Sequence, residues 1–180
     1  MKKNYIYLLI VAGIALLLSF VFAANNNSKE VLNTKKMVSL STFTLYDIAK
    51  HISEDTFELI RIIPSGVDIH AYEPTPDIMV KIEKSDILLY NGAGLEPWLP
   101  SLNFKNKSVG IANHVSLISA LDDDSEHHHH GDSCSHSEFD PHLWFDVKHM
   151  KSAAEIITKE FIILEPQNEK LYTNNRDEYI

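Results

Sequence analysis

The stretch MVSLSTFTLYDIAKHI at residues 37–52 decides the fold of this chain. Its first five residues alternate apolar and polar side chains, a pattern that predicts a β-strand. Four apolar residues then follow at the spacing of one helix face: Leu45, Ile48, Ala49 and Ile52. A strand followed directly by an amphipathic helix predicts the first half of a βαβ unit.

Three further apolar runs repeat this pattern, at residues 57–63, 86–90 and 108–112. A turn-rich segment after the first of them leads to Pro76, a favoured first helical residue behind the cap candidate Thr75. Strands separated by helical stretches predict right-handed βαβ units. We therefore expect an α/β fold with a mainly parallel four-stranded sheet and flanking helices on both faces.

The amino terminus has the pattern of an export signal. Lys2 and Lys3 precede an apolar run at 6–23 that ends in a small residue, as signal peptides do. We expect residues 1–23 to be a signal peptide and residues 24–36 to be a polar linker, with the mature chain in the periplasm. The apolar run is nearly long enough to span a bilayer, so an uncleaved membrane anchor is the alternative.

The composition narrows the classes of partner. The 180 residues are 44% hydrophobic, enough for one core, and 16 basic against 25 acidic residues give a net charge of −9. This balance argues against nucleic acid, whose phosphates need a basic surface. Cys134 is the only cysteine, which excludes an internal disulfide. Its thiol is either a weak metal ligand or an incidental free thiol.

Residues 119–139 form an acidic, histidine-rich segment without apolar periodicity, which we interpret as an insertion. Such a composition predicts a mobile, solvated loop. Its imidazoles offer auxiliary weak metal sites that raise the local metal concentration, and a solvated spacer without such a role is the alternative. The histidines concerned are His127, His128, His129, His130 and His136.

Two other histidines are the candidate ligands of a specific site. His70 follows the second predicted strand, and His142 follows the fourth and precedes a helix for which Asp146 is the cap candidate. In an open parallel sheet, ligands bind at the edge formed by the carboxyl ends of the strands. We expect both imidazoles to converge there and to ligate zinc at about 2.0–2.1 Å.

Metal-bound imidazoles usually donate their other ring N–H to a carboxylate or a carbonyl. Asp68, Glu73 and Asp140 are close enough in sequence to act as these partners. Imidazole ligands favour Zn²⁺, whereas Mn²⁺, the alternative, prefers more carboxylate oxygen. Because histidine must be neutral to bind, capture should weaken as the pH falls through about 6.5.

Three motifs together resemble one family. They are GVDIHAYEPTPD at 66–77, YNGAGLEPW at 90–98 and DPHLWFD at 140–146. In this order they are similar to the zinc- and manganese-specific solute-binding proteins of ABC importers, and the likeness extends over residues 37–180.

The resemblance implies two α/β lobes joined by one long helix, with the metal in the cleft between them. His70 and His142 match the two ligands of the amino-terminal lobe, which would comprise residues 37–164. Residues 165–180 would begin the linking helix, and the carboxy-terminal lobe has no counterpart here. We expect a chain that captures metal without catalysis and delivers it to an ABC permease in the inner membrane, with a separate polypeptide as one source of the missing lobe.

Other functions make different demands on the sequence. A zinc hydrolase needs a third ligand, a water and a general base, usually in a His-Glu-x-x-His signature, which is absent from this sequence. We therefore predict no enzymatic activity. A periplasmic metal buffer, an adhesion protein and a truncated, non-functional remnant are the remaining alternatives.

Overall fold

The computed structural model describes residues 13–17, 19, 35–119 and 139–180. Residues 13–17 and 19 are helical, and no helix in the described ranges is long and apolar enough to cross a membrane. Most of the predicted signal peptide and linker lies outside these ranges. So does nearly all of the 119–139 insertion, with its five histidines and Cys134.

Residues Lys35–Ile180 form one compact unit built on a parallel sheet. Its strands are β1 (Met37–Leu40), β2 (Glu58–Arg61), β3 (Ile87–Tyr90) and β4 (Lys107–Gly110). All neighbouring strands pair in parallel, in the order β2-β1-β3-β4. The predicted α/β fold with a four-stranded parallel sheet is therefore confirmed. The direction of winding reverses between β1 and β3, which makes the ends of these strands the topological switch point.

In the compact unit, four described helices flank the sheet: α1 (Phe43–Ser53), α2 (Pro76–Lys84), α3 (Val147–Leu164) and α4 (Glu169–Tyr179). The two predicted caps are confirmed. Thr75 Oγ1 accepts the Ile78 N–H at 3.5 Å at the start of α2, and Asp146 Oδ1 accepts the Lys148 N–H at 2.7 Å at the start of α3. Side chains that satisfy the free N–H groups of a first turn fix where a helix begins.

The core lies on both faces of the sheet because successive strand residues point to opposite sides. On one face, Val38 and Leu40 of β1 pack with α1, α3 and α4. The rings of Phe57, Phe161 and Tyr172 are in mutual contact there, with centroids 4.6–5.8 Å apart. A second cluster forms around Leu88 of β3 and contains Ile62, Ile63, Ile82 and Trp98. The sheet is thus covered by apolar packing on both sides.

The fourth predicted strand is shorter than its apolar run. Residues Ile111–His114 form a 3₁₀ helix, so the prediction of a strand through residue 112 was wrong at this end. Ile111 and Ala112 are nevertheless buried. These two residues are apolar because they are buried, and a tight turn can bury apolar side chains as well as a strand can.

Helix α4 belongs to the same core. Tyr172 is fully buried and its hydroxyl donates to Thr56 Oγ1 at 2.9 Å, while the Asn175 side-chain amide donates to the Ile52 carbonyl at 3.0 Å. These contacts attach α4 to α1 and to the turn after it. That residues 165–180 begin a linking helix stays a prediction.

Candidate metal centre

His70 lies in the connection between β2 and α2. The Tyr72 hydroxyl donates to the Ile62 carbonyl at 2.8 Å and ties this connection to the end of the strand. Asp68 Oδ1 accepts the backbone N–H of His70 at 2.9 Å, so a local Asx turn sets the direction of the chain at the histidine. The His70 residue is exposed.

His142 lies just before α3 in a second turn of the same kind. Asp140 Oδ1 accepts the backbone N–H of His142 at 2.9 Å and also lies 2.6 Å from the Nδ1 of its ring. The pKa of the Asp140 carboxyl is lowered mainly by the hydrogen bond from the His142 backbone N–H, and also by the contact with the His142 ring. One carboxylate therefore fixes both the chain and the imidazole.

The structure brings the two imidazoles together. His70 Nε2 and His142 Nε2 are 3.1 Å apart, with ring centroids separated by 5.1 Å and ring planes inclined by 67°. Two nitrogens that each lie at 2.0–2.1 Å from one tetrahedral ion are about 3.3–3.4 Å from each other. The nitrogen pair has close to the spacing that one shared ion requires.

The Asp140 contact also selects the form of the His142 ring. A carboxylate beside Nδ1 keeps the proton on that nitrogen, so neutral His142 carries its free lone pair on Nε2. Nε2 is the atom that faces His70. A carboxylate behind an imidazole in this way fixes the tautomer and the orientation of the ring for metal binding.

The three predicted carboxylate partners differ in what they contact. Asp140 reaches a histidine ring, whereas Asp68 reaches only the backbone of His70. Glu73 is exposed and makes no hydrogen bond or ion pair within the described part of the chain. Across residues 35–119 and 139–180, no group of three His, Cys, Asp or Glu side chains is arranged to hold an ion.

Aromatic side chains border His142. The ring of Trp144 stands edge-on to the imidazole at a centroid distance of 5.2 Å, and that of Phe145 lies at 6.1 Å. Phe145 is 81% exposed. The pair of histidines therefore lies on an open surface with an apolar border on one side.

Two buried polar residues behind the histidines were not predicted as part of the site. The Asn91 side-chain amide donates to the Pro141 carbonyl at 2.8 Å, and Glu96 accepts the backbone N–H groups of Asn91 and Gly92. Burial raises the pKa of Glu96, against the opposing effect of its hydrogen bonds. The Asn-Gly pair indicated a strand end, but nothing local indicated that the amide reaches position 141.

The fold and the paired imidazoles define an α/β domain with a candidate divalent-metal site at the carboxyl edge of its sheet. The family described as "ZnuA: Zinc-uptake complex component A periplasmic" matches residues 38–180. The chain therefore belongs to this family.

Named relatives include zinc and manganese proteins. The chain is 29% identical to the high-affinity zinc uptake system protein ZnuA of Bacillus subtilis, over 100% of this chain and 58% of the relative. It is 30% identical to the manganese ABC transporter substrate-binding lipoprotein PsaA of Streptococcus pneumoniae, over 92% of this chain and 54% of the relative. The chain thus spans little more than half the length of these relatives.

Solved structures agree with the fold. The Mn-bound periplasmic metal binding protein of Candidatus Liberibacter asiaticus superposes with a TM-score of 0.67 at 28% identity, over 81% of this chain and 52% of that one. A Cd-bound structure of the protein from that organism gives a TM-score of 0.66 at 28% identity, over 81% of this chain and 51% of that one. This coverage is consistent with one lobe of such proteins.

Proposed function

We propose that this chain captures a divalent metal ion in the cell envelope, zinc in preference to manganese, and delivers it to an ABC-type importer. The observation that carries the proposal is the 3.1 Å separation of His70 Nε2 and His142 Nε2. Imidazole nitrogen is a preferred ligand of zinc, whereas manganese prefers carboxylate and carbonyl oxygen. The two imidazoles therefore favour zinc. The named zinc and manganese relatives support a divalent cation.

Capture requires no catalytic step. The metal ion exchanges water for imidazole nitrogen, and the loaded protein then docks on a membrane permease. Two imidazoles supply only half of a tetrahedral set, so the proposal leaves two positions for other ligands. A separate polypeptide as their source stays a prediction, as do auxiliary weak sites on the histidines between residues 127 and 136.

The test is a zinc titration that isolates the histidine pair. The loop-silenced chain is defined as the chain in which Cys134 is replaced by serine and five histidines are replaced by glutamine: His127, His128, His129, His130 and His136. Zinc affinity of this chain is measured in competition with a chromophoric chelator, alongside its His70→Ala and His142→Ala variants. The control is His51→Ala, because the His51 ring contacts Tyr179 rather than the histidine pair.

We expect one zinc site that either histidine substitution weakens and that His51→Ala leaves unchanged. Manganese should bind more weakly in the same assay. If silencing the loop removes nearly all bound zinc, the protein is a buffer that acts through the insertion, and the proposal fails. Equal affinities of the His70→Ala, His142→Ala and His51→Ala variants would also refute it.

A further inference from the structure

Asn91 joins three strand ends to the segment that carries His142. It follows β3 and is 2% exposed. Its carbonyl accepts the Ala112 N–H beyond β4 at 2.9 Å, and its own N–H lies 3.2 Å from Ser41 Oγ beyond β1. Its side-chain amide donates to the Pro141 carbonyl at 2.8 Å. The residue is therefore anchored on the rigid sheet and reaches the loop with its side chain.

A buried carboxyl group holds the backbone at Asn91 and Gly92. Glu96, 3% exposed, accepts the Asn91 N–H at 2.8 Å with one oxygen and the Gly92 N–H at 2.9 Å with the other. Gly92 has φ +85°, and a Cβ there would lie 2.9 Å from the Cβ of Ala112. The backbone of the turn after β3 is thus held in place, and the Asn91 side-chain amide also donates to the Gly92 carbonyl at 3.2 Å.

The accepting carbonyl belongs to the turn that aims the imidazole. His142 has φ −82° and ψ 56°, and the Leu143 N–H donates to the Pro141 carbonyl at 2.9 Å. These values describe an inverse γ-turn with His142 at its centre. Such a turn has a single hydrogen bond of its own, so the second donor from Asn91 adds a link between the turn and the sheet.

We propose that Asn91, held by Glu96, is a positioning residue that fixes the Pro141–Leu143 turn so that His142 Nε2 faces His70. This inference rests on the proposed function, because it assigns to Asn91 an effect on metal affinity. The physical reason is preorganisation: a ligand already in its bound orientation loses less conformational freedom when the ion arrives. Asn91 itself is not a ligand.

The test compares two asparagines that make the same type of bond at opposite edges of the sheet. Asn91→Ala removes the amide that reaches the Pro141 carbonyl. The matched control is Asn106→Ala, since the Asn106 amide donates to the Ser85 carbonyl at 2.7 Å before the strands begin. Both variants are made in the loop-silenced chain, and zinc affinity and thermal unfolding are measured for each.

Loss of a group that orients a metal ligand typically lowers affinity by about 10–100-fold, and we expect a loss in this range for Asn91→Ala. Asn106→Ala should leave the zinc affinity within about 3-fold, because it acts far from the ligands, while lowering thermal stability. Asn91→Ser, whose shorter side chain does not reach position 141, should reproduce the loss and serves where the alanine variant does not fold.

The outcomes separate this inference from the proposed function. Zinc binding that depends on His142 but not on Asn91 overturns the positioning role alone. Equal affinity losses in the Asn91 and Asn106 variants also overturn it, since they would reflect general destabilisation. Zinc binding that does not depend on His142 overturns the proposed function itself.

Discussion

The segments that carry His70 and His142 share one hydrogen bond to the histidine backbone but differ in what holds the histidine ring. In each, an aspartate two residues before the histidine accepts its backbone N–H at 2.9 Å. Only in the second does the aspartate also bond the ring, at 2.6 Å, and only there does a buried amide from the sheet hold the preceding carbonyl. The ring of His70 has one hydrogen-bonding contact in the described part of the chain, to His142.

This difference indicates that the two imidazoles have different roles, one preoriented and one adaptable. In the proposed site, the His142 ring is already oriented without metal, whereas His70 is exposed and lies on a connection fixed mainly through Tyr72. A fixed first ligand reduces the entropy lost on binding, and an adaptable second one allows the separation of the nitrogens to adjust to the ion.

The largest contrast is expected from removing the two proposed ligands themselves. His142→Ala should lower zinc affinity of the loop-silenced chain by more than about 100-fold, beyond the 10–100-fold typical of losing an orienting partner. His70→Ala should cost less, because a water can take the place of an exposed, less restrained ligand. Chelator competition measures the zinc affinity of both variants. A greater loss for His70→Ala would contradict the different roles of the two imidazoles.

The next contrast lies between the two aspartates. Asp140→Asn keeps an oxygen for the backbone N–H but removes the charge behind the ring, and it should lower zinc affinity by about 10–100-fold. Asp68→Asn keeps the only contact that Asp68 makes with His70, so affinity should stay within about 3-fold by the same reasoning. Each variant is the control for the other in one competition titration.

The helices that follow the two segments should differ by a smaller amount. Asp146→Ala should cost about 1 kcal/mol of unfolding free energy, a typical value for an N-cap. Thr75→Ala should cost less, because its capping bond is 3.5 Å long compared with 2.7 Å for Asp146, near the limit for a hydrogen bond. Urea unfolding of the metal-free variants measures the difference, and equal costs would show that the caps do not distinguish the segments.

The smallest effect is expected in the dependence of stability on pH. The lowered pKa of Asp140 means that its contribution to stability is present above its unfolded pKa, about 3.9, and is lost as the pH falls through the lower folded value. The stability difference between the metal-free protein and Asp140→Asn should therefore shrink as the pH falls below about 4. Because the Asp140 side chain is 48% exposed, solvent screening keeps this difference small. A difference that grows as the pH falls below about 4 would contradict the assignment.

Much of the fold was predictable from local sequence. Apolar alternation in residues 37–41 and the spacing from Leu45 to Ile52 gave the first strand and helix, and Thr75 and Asp146 were identified as caps from their type and position. The order of strands and connections also placed His70 and His142 at one edge of a parallel sheet. Each of these properties depends on residues close together in the chain or on the general geometry of parallel sheets.

The tertiary structure alone decided how the histidines are held. His70 and His142 are 72 residues apart in sequence, and Asn91 and Pro141 are 50 apart. Glutamate is usually exposed, but Glu96 is buried and accepts hydrogen bonds from two backbone N–H groups. This arrangement depends on how the strands and helices pack together. The sequence by itself determined which groups reach the edge of the sheet, whereas long-range packing determined their separation and orientation, because hydrogen bonds act over only a few ångströms.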